Sequence, residues 1–297
     1  MWLSLAFVSA LFLGLYDVAK KRAVADNAVA MVLLLNTALS TLLFSPAIIA
    51  SLTGAEWFSG TMFDYGAQSM DAHLKVMLKA CITLSSWGFG YVGIKHLPLT
   101  IVGPINATRP VIVLLGALII FGERLNALQW VGVSLAFVSI LLLSRAGRRE
   151  GINFVRNRYI LYVAAAALLG ATSGLYDRYL LREIDAMFVQ SWFSLYQAVM
   201  MAVVVTVMWL RGRLPRFEWR WAIPLITIFL TIADMAYFVA LAEGDSMVAV
   251  VSMVRRSSVV VSFACGAVLF GEKNLRTKAI DLAFILVGMV FLWLGTK

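Results

Sequence analysis

The chain has 297 residues, of which 62% are hydrophobic and 14% are charged, and its mean hydropathy is +0.88. Soluble domains carry about 25% charged residues, so the composition excludes an ordinary soluble protein and predicts an integral membrane protein. The formal net charge of +9 does not indicate nucleic acid, because the basic residues lie mostly in short loops between apolar segments. Cys81 and Cys265 both fall in apolar segments and offer no spacing for a metal or disulfide site, so no cofactor or metal is expected.

Ten apolar segments along the chain have the length of a membrane-spanning helix. A helix needs about 20 apolar residues to cross the bilayer core, and the alternation typical of spanning strands is not seen. The first segment continues into Asp17 and Lys20 without a cleavage site, so we expect no signal peptide. The predicted spans are 2–19, 28–50, 75–94, 98–120, 126–144, 159–180, 186–210, 220–242, 246–270 and 275–295.

The loop charges predict an orientation for these spans. One side receives 16 of the 25 basic residues and the other side receives 6. The richer side should be cytoplasmic, which places both termini outside a plasma membrane, the inner membrane of a bacterium. The richer side holds Lys20, Lys21, Arg22, Lys95, Arg145, Arg148, Arg149, Arg156, Arg158, Arg211, Arg213, Arg216, Arg220, Lys273, Arg276 and Lys278, and the other holds Lys75, Lys79, Arg124, Arg178, Arg182 and Lys297.

Two short motifs recur at matching places. GLYD occurs at 14–17 and 174–177, late in the first and sixth spans, and FGE occurs at 121–123 and 270–272, at the ends of the fourth and ninth spans. The order of the motifs predicts an internal repeat. Five spans per half is an odd number, so the two halves should cross the membrane in opposite orientations, as in many secondary transporters.

With FGER or FGEK closing the fourth helix of each five-helix half, the sequence resembles the EamA-type members of the drug/metabolite transporter superfamily over essentially the whole chain. The resemblance implies an all-α membrane fold of ten transmembrane helices, with repeats over 1–150 and 151–297. It also implies a central cavity and alternating access. It does not identify the substrate, because that superfamily handles amino acids, nucleosides, sugars, phosphorylated metabolites and lipophilic cations.

Three arginines lie near the middle of predicted spans. At about 1.5 Å of rise per residue, Arg109, Arg255 and Arg256 are near the centre of the hydrocarbon layer, where an arginine costs at least ~2.5–3.5 kcal/mol. Asp234 is the best acidic partner, but one acid cannot neutralise three guanidinium groups. The arginines therefore either line a wet substrate cavity or form structural ion pairs. A guanidinium binds carboxylate or phosphate through paired hydrogen bonds, which favours an anionic or zwitterionic substrate.

The arginine segments carry a second resemblance. VRRSSVVVS followed by FGE is similar to the ninth helix of triose-phosphate and related organophosphate carriers, where a basic pair supports phosphate binding, and Arg255 and Arg256 match that pair. NATRPV resembles the fourth helix of those carriers, with Pro110 aligned. Those carriers have a basic residue where this chain has Asn106 and an acid where it has Arg109, which weakens the implication of a phosphate substrate. Pro110, with Pro104 and Gly103, also predicts a broken fourth span.

Other polar and aromatic residues complete the predicted site. Asp234 is the candidate for proton coupling. The glycines of the third span are expected to allow close helix packing. The predicted substrate contacts are Arg109, Arg255, Arg256, Asn106, Asp234, Tyr237, Trp87 and Tyr91; the weaker cavity candidates are Asn36, Gln190, Gln197 and Tyr196; the gating candidates are Tyr16, Asp17, Tyr176 and Asp177; and the packing glycines are Gly88, Gly90 and Gly93.

We therefore expect a secondary active transporter, not an enzyme, for a small polar metabolite with a carboxylate or phosphate. Protons or a counter-exchanged metabolite would drive it, since no nucleotide-binding loop occurs in the sequence. The nearest alternative is an exporter of amino acids or lipophilic cations, with the arginines held in ion pairs. An integral membrane enzyme acting on lipid-linked substrates would need catalytic residues in a loop, where Asp64, Asp71 and His73 fit no recognised motif. A non-transporting assembly partner would have a collapsed cavity.

Overall fold

A computed structural model describes residues 2–66, 68–112, 115, 125–148, 150–154, 156–180, 183–242, 251, 254–272 and 274–295, except the side chains of 178, 238, 241 and 242. The structure is 82% helical, and the described residues contain no strand. The helices are α1 Trp2–Val24, α2 Val29–Thr53, α3 Met70–His96, α4 Leu99–Ala107, α5 Ala127–Arg148, α6 Arg158–Leu180, α7 Ala186–Leu210, α8 Ala222–Ala242, α9 Ser258–Leu269 and α10 Leu275–Leu294, with a 3-10 helix at Glu56–Phe58.

Six of these helices, namely α1, α2, α5, α6, α7 and α10, are long and apolar enough to cross a membrane. The prediction of an all-helical, multi-pass membrane protein is therefore confirmed. The number of ten spans stays a prediction, because the predicted fourth and ninth spans include residues outside the described ranges. The FGER motif (121–124) and Lys273 of FGEK also lie outside them.

The main helix pairs join one half of the chain to the other. α1 packs along α8, α3 packs along α6, α2 packs along α7, and α5 packs along α10. When the two halves are exchanged, the α1–α8 pair becomes the α6–α3 pair, while α2–α7 and α5–α10 each map onto themselves. This packing pattern is the one that an internal two-fold repeat produces, whereas the opposite orientation of the halves stays a prediction.

The predicted fourth and ninth spans are interrupted in the same way. The Thr108 N–H donates to the Ile105 carbonyl at 3.2 Å, and the Thr108 hydroxyl donates to the same oxygen at 2.7 Å. The Ser257 N–H and hydroxyl bind the Val254 carbonyl at 3.0 and 2.6 Å. The two turns are 149 residues apart, which is also the spacing of the FGE motifs. In each turn one backbone carbonyl accepts two local hydrogen bonds. The backbone can therefore bend at membrane depth without leaving this carbonyl unbonded.

The bend in the fourth span lies where the sequence predicts it. α4 ends at Ala107, and helical structure resumes at Arg109. Pro110 follows directly, and because its ring nitrogen carries no hydrogen, it cannot supply a helix bond across the bend. Gly103 lies close to α9, because a Cβ atom added there would sit 2.9 Å from Val259 Cγ2. The bent segment is therefore packed tightly against its counterpart in the second half.

Hydrogen bonds at the helix ends link the connections in two groups. Residues at and after the end of α1 bind those after α3 and before α8, while the first turns of α3 bind the segment after α6 and the segment before α5 binds the one after α10. Which group faces the cytoplasm stays a prediction. The bonds are Lys21 to Leu97 and Asn27 to Glu218 in the basic group, and Lys75 to Glu183 and Asn126 to Gly295 in the other.

The FGE glutamate of the second half binds the start of α4 in the first half. Glu272 accepts hydrogen bonds from the N–H groups of Leu99 at 2.7 Å and Thr100 at 2.8 Å, and from the Thr100 hydroxyl. Lys278 on α10 donates to the same Thr100 oxygen at 2.9 Å and pairs with Glu150 at 2.7 Å. The Lys278 side chain is 0% exposed, so this pairing is what makes its charge tolerable there. A carboxylate at the positive end of a helix is stabilising.

We predict that Glu272→Ala destabilises the fold. It leaves two N–H groups at the start of α4 without their acceptor, so the midpoint of unfolding should fall by an amount equivalent to about 1–3 kcal/mol. Thermal unfolding of the purified protein in detergent measures this loss. Glu56→Ala removes an exposed glutamate from the loop after α2 and serves as the control. Equal melting temperatures for the two variants would contradict the capping role of Glu272.

Candidate functional site

The two bends bring the three mid-span arginines close together in space. Arg109 directly follows the turn at Thr108, and Arg255 and Arg256 directly precede the turn at Ser257. α4 and α9 are in contact, so the two bends are neighbours. Electrostatic interactions link Arg256 to both Arg109 and Arg255. The cationic groups that the sequence singled out therefore form one cluster.

Arg255 is held by α8. Its guanidinium forms an ion pair with Asp234 and lies over the Tyr237 ring, 4.4 Å from the ring centre. Asp234 and Tyr237 are three residues apart on α8, so they share one face of that helix. Both partners of the ion pair keep about a fifth of their side-chain surface accessible, 20% for Arg255 and 21% for Asp234. Arg255 thus forms a structural ion pair, which the sequence analysis gave as the alternative to substrate binding.

Arg109 is only partly satisfied by its neighbours. Its Nη2 donates to Asn106 Oδ1 at 3.1 Å, whereas its buried Nε has no hydrogen-bond partner within the described residues. The guanidinium lies against the backbone of α6, because a Cβ added at Gly170 would sit 2.8 Å from Arg109 Cζ. Asp17 and Tyr16 are its electrostatic neighbours. Asn106 therefore orients Arg109 on one side, and Gly170 leaves room for it on the other.

Arg256 is not held by an ion pair among the described residues. It is exposed, and across the described ranges no hydrogen bond or ion pair is found for it. Its electrostatic neighbours are two further cations, Arg109 and Arg255, together with Tyr237. Because Asp234 is paired with Arg255, positive charge exceeds negative charge among the described neighbours of Arg256. An anion is the chemical group that this arrangement would attract.

The first GLYD motif forms a site with Lys20. Asp17 pairs with Lys20 at 2.6 Å, and its other oxygen lies 3.5 Å from the hydroxyl of Ser262 on α9. The Lys20 ammonium stands over the Tyr16 ring at 4.2 Å and the Tyr91 ring at 5.4 Å. Tyr91 is 1% exposed and belongs to the apolar core. The structure thus places Tyr91 beside Lys20 and not on the polar cavity.

The second GLYD motif meets α3 instead. Asp177 pairs with Lys79 at 2.7 Å, and the Tyr176 hydroxyl donates to the Lys75 carbonyl at 3.3 Å. Both GLYD carboxylates are therefore paired with a lysine, one within its own helix and one between α3 and α6. This pairing gives each aspartate a structural role, and gating by these residues stays a prediction.

A closed polar cavity of ≈ 80 Å³ lies between α2, α3, α7 and α8. Its size and its polar lining allow ordered water. Trp87 and Asp234, which were predicted as substrate contacts, both line the cavity. Gln197 also lines it, and its buried Nε2 has no hydrogen-bond partner within the described structure. The lining residues are Asn36, Thr37, Ser40, Trp87, Gln190, Phe193, Ser194, Gln197, Thr227, Leu230, Thr231 and Asp234.

Sequence reasoning named Asn36, Gln190 and Gln197 but missed the hydroxyl groups around them. The signal that could have found these hydroxyl groups is the spacing of polar residues along the helices. Polar residues recur at positions i, i+4 and i+7 in two otherwise apolar helices, which places them on one face. The two series are Gln190, Ser194 and Gln197 on α7, and Thr227, Thr231 and Asp234 on α8. Tyr196 points elsewhere, because its hydroxyl lies 2.7 Å from His73 Nδ1.

The loop residues considered for an enzyme do not converge. Asp71 pairs with Lys75 at 2.8 Å, His73 binds Tyr196, and Asp64 accepts from the Gly60 N–H at 3.3 Å. Each residue has a separate partner. Within the described residues no cluster of three or more His, Cys, Asp or Glu could hold a metal ion.

Comparison with known proteins finds one family model that matches the first half of the chain and a solved structure of similar fold. The model of the EamA-like transporter family matches residues 1–145. No curated protein sequence matches the chain. A solved structure, described only as a crystal structure of a protein, aligns with a TM-score of 0.61 and 17% identity, covering 99% of this chain and 97% of that chain. At this identity the likeness concerns the fold alone.

We predict that the Asp234–Arg255 pair behaves as a coupled unit. Asp234→Asn and Arg255→Gln should each lower the free energy of unfolding by roughly 2 kcal/mol, because each leaves a poorly solvated charge unpaired. The double variant should lose clearly less than the sum of the two. Denaturant unfolding in detergent measures all three. Asp71→Asn, which breaks an ion pair whose aspartate is 71% exposed, is the control and should change little. Strict additivity would contradict the pairing.

Proposed function

We propose that the protein is a secondary active transporter for a small anionic or zwitterionic metabolite, because residues 1–145 match the model of the EamA-like transporter family, part of the drug/metabolite transporter superfamily. Arg256 binds the carboxylate or phosphate of this substrate. Arg109 and Asn106 complete the site from α4, and the polar cavity beside Asp234 receives the rest of the molecule. Alternating access carries the substrate across the membrane.

Arg256, which is exposed and has no ion pair among the described residues, carries this proposal. A guanidinium at the predicted membrane midplane is tolerated when it is paired or when it faces water or a polar ligand. Arg255 meets the first condition through Asp234. Arg256 meets the second, since it is exposed although it directly follows Arg255 in the chain. Adjacent helical residues point about 100° apart, which accounts for their different environments.

The neighbouring arginines favour an anion over a cation. Arg109 and Arg256 repel each other electrostatically, and the repulsion is relieved when a negative group binds between them. A cationic drug would meet the same repulsion. The acid that could attract it, Asp234, is already bound to Arg255. An amino acid remains compatible with the site through its carboxylate, so export of amino acids is the alternative that the geometry supports.

Alternating access is supported by the way in which the two halves meet. The main helix pairs all join one half to the other, and the two bends recur at the same distance from each FGE motif. If the halves are inverted, as the odd number of spans predicts, the same rearrangement opens the cavity to one side or the other. The cavity of ≈ 80 Å³ is smaller than the roughly 300–1,000 Å³ of ordinary ligand pockets, so transport by this route requires it to widen.

Asp234 is suited to couple transport to protons. It lines the cavity and also neutralises Arg255. Protonation of its carboxyl group would release Arg255 from the ion pair, so the number of cations facing the substrate would change with pH. Exchange against a second metabolite is the other mode of coupling. Uptake driven by a pH gradient distinguishes the two, since exchange requires no gradient.

We predict that Arg256→Gln impairs transport while leaving stability unchanged. A panel of carboxylates, amino acids and phosphorylated metabolites is first screened for ligands that raise the melting temperature. Uptake of the identified compound into proteoliposomes is then measured. Loss of a charge-assisted hydrogen-bond pair, about 1.5–3 kcal/mol, should reduce uptake at subsaturating substrate by roughly ten-fold or more.

Two matched variants separate a binding role from a structural one. Arg256→Lys keeps the charge and should retain part of the activity, because it loses only the paired geometry. Arg145→Gln removes an exposed arginine from the last turn of α5 and should transport normally. Uptake by Arg256→Gln within two-fold of the wild type, with a correctly folded protein, would refute the anion site.

A further inference from the structure

An open groove of ≈ 660 Å³ runs along the outer surface of α2, α3 and α7, separate from the polar cavity. Gly88 forms part of its floor, because a Cβ atom added there would meet no atom within 4 Å. The expectation that Gly88 packs against a helix is therefore wrong. Gly93 does pack in that way, because a Cβ atom added there would clash with Val163 Cγ2, and Gly90 makes an ordinary contact with Ala166 at 3.6 Å.

Most of the groove wall is apolar. It includes Leu84, Phe89 and Val92 from α3 and Met201, Val204 and Met208 from α7. Leu84 and Val92 are eight residues apart, so this wall extends for about 12 Å along the helix. That length lies within one leaflet of a bilayer whose hydrocarbon core is about 30 Å thick.

One end of the groove is basic. Lys95 and His96 line it there, and Lys21 and Arg158 are electrostatic neighbours of His96. The hydrogen bonds of these cations go to neutral groups. Lys95 binds the Asn27 carbonyl at 2.8 Å, Lys21 binds the Leu97 carbonyl at 2.5 Å, and Arg158 binds the Tyr159 hydroxyl at 2.9 Å. Within the described part of the chain none of the three forms an ion pair, although Glu272 is an electrostatic neighbour of Lys21. The charges of Lys95 and Arg158 are therefore the ones most available to an anionic group.

Aromatic rings connect the basic end with the apolar wall. His96 stacks on Tyr159 with ring centres 4.0 Å apart and planes 18° apart. Tyr159 contacts Tyr162 at 6.1 Å, and Tyr162 contacts Phe89 at 5.6 Å. Amphipathic rings of this kind are typical of the level of the lipid headgroups. The chemistry along the groove therefore changes from cationic through aromatic to aliphatic.

We propose that this groove binds an anionic glycerophospholipid. The phosphate lies at the basic end near Lys95, His96 and Arg158, and an acyl chain lies over Gly88. A soluble anion would not use the apolar wall, and a neutral lipid would not use the charges of Lys95 and Arg158 at the basic end. Basic pockets between membrane helices on the cytoplasmic side bind anionic headgroups in general, and the loop charges assign this end to that side.

The groove and the polar cavity lie on the same three helices. α2, α3 and α7 line both, and these helices belong to different halves of the chain. A lipid seated between them therefore stabilises the arrangement in which the groove is open. This gives the bilayer composition a direct effect on the conformational equilibrium of the protein, whatever the transported compound is.

Native mass spectrometry of the purified full-length protein tests the proposal. The protein is titrated with phosphatidylglycerol or phosphatidylcholine carrying the same acyl chains. The wild type should retain phosphatidylglycerol preferentially. Lys95→Gln with Arg158→Gln should reduce this retention by about five-fold for each charge removed and leave phosphatidylcholine unaffected. Arg145→Gln with Arg148→Gln, two exposed arginines of α5, should match the wild type.

A second pair of variants probes the apolar part. Gly88→Trp fills the groove and should reduce retention of both lipids, whereas Gly174→Trp, at another helical glycine with nothing within 4 Å of an added Cβ, should not. Thermal unfolding verifies that each variant is folded. Equal retention of the two lipids by the wild type, or undiminished phosphatidylglycerol retention after either groove change, would overturn the proposal. If glycerol phosphate alone competes with the lipid, the groove binds a soluble anion and the proposal is overturned. If the wild type self-associates and Gly88→Trp abolishes this, the groove binds a second copy of the chain and the proposal is likewise overturned.

Discussion

Charge inside the apolar bundle must be matched by an opposite charge or must face a polar space, because hydrocarbon solvates neither. The structure obeys this constraint at Lys278 with Glu150, at Lys20 with Asp17 and at Arg255 with Asp234. Lys278 with Glu150 and Arg255 with Asp234 join segments that lie apart in the chain, whereas Lys20 and Asp17 belong to one helix. Among the described residues Arg256 and Arg109 depart from this pattern, since neither forms an ion pair, and function is expected at such departures.

The two bends give this charge distribution its geometry. A continuous helix would carry Arg109, Arg255 and Arg256 on faces set by a regular rotation of 100° per residue. The turns at Thr108 and Ser257 interrupt that rotation at corresponding positions of both halves. Each bend also satisfies its backbone through a neighbouring hydroxyl group, so it persists without water. The fold thus builds a cluster of like charges from two segments that would otherwise be ordinary spanning helices.

Much of this architecture could be predicted from the sequence, since composition and the positions of loop charges are strong signals in membrane proteins. The Asp234–Arg255 pair was predictable because few acids occur at that depth. The orientation of Tyr91 and Gly88 was not, because a helix that is apolar all round gives no indication of which face meets protein and which meets lipid. The Glu272 contact with α4 was equally hidden, as it joins residues far apart in the chain. Spacing at i, i+4 and i+7 could have revealed the hydroxyl groups of the cavity.

The bond from Glu272 to Leu99 spans 173 residues, and this distance bears on biosynthesis. When α4 leaves the ribosome, the carboxylate that will accept from its first N–H groups has not yet been made. Until then these groups hydrogen-bond to water, which keeps the start of α4 at the aqueous boundary while the later helices are inserted. The nascent first half is consequently an unfinished intermediate, and its maturation is timed by translation of the last tenth of the chain.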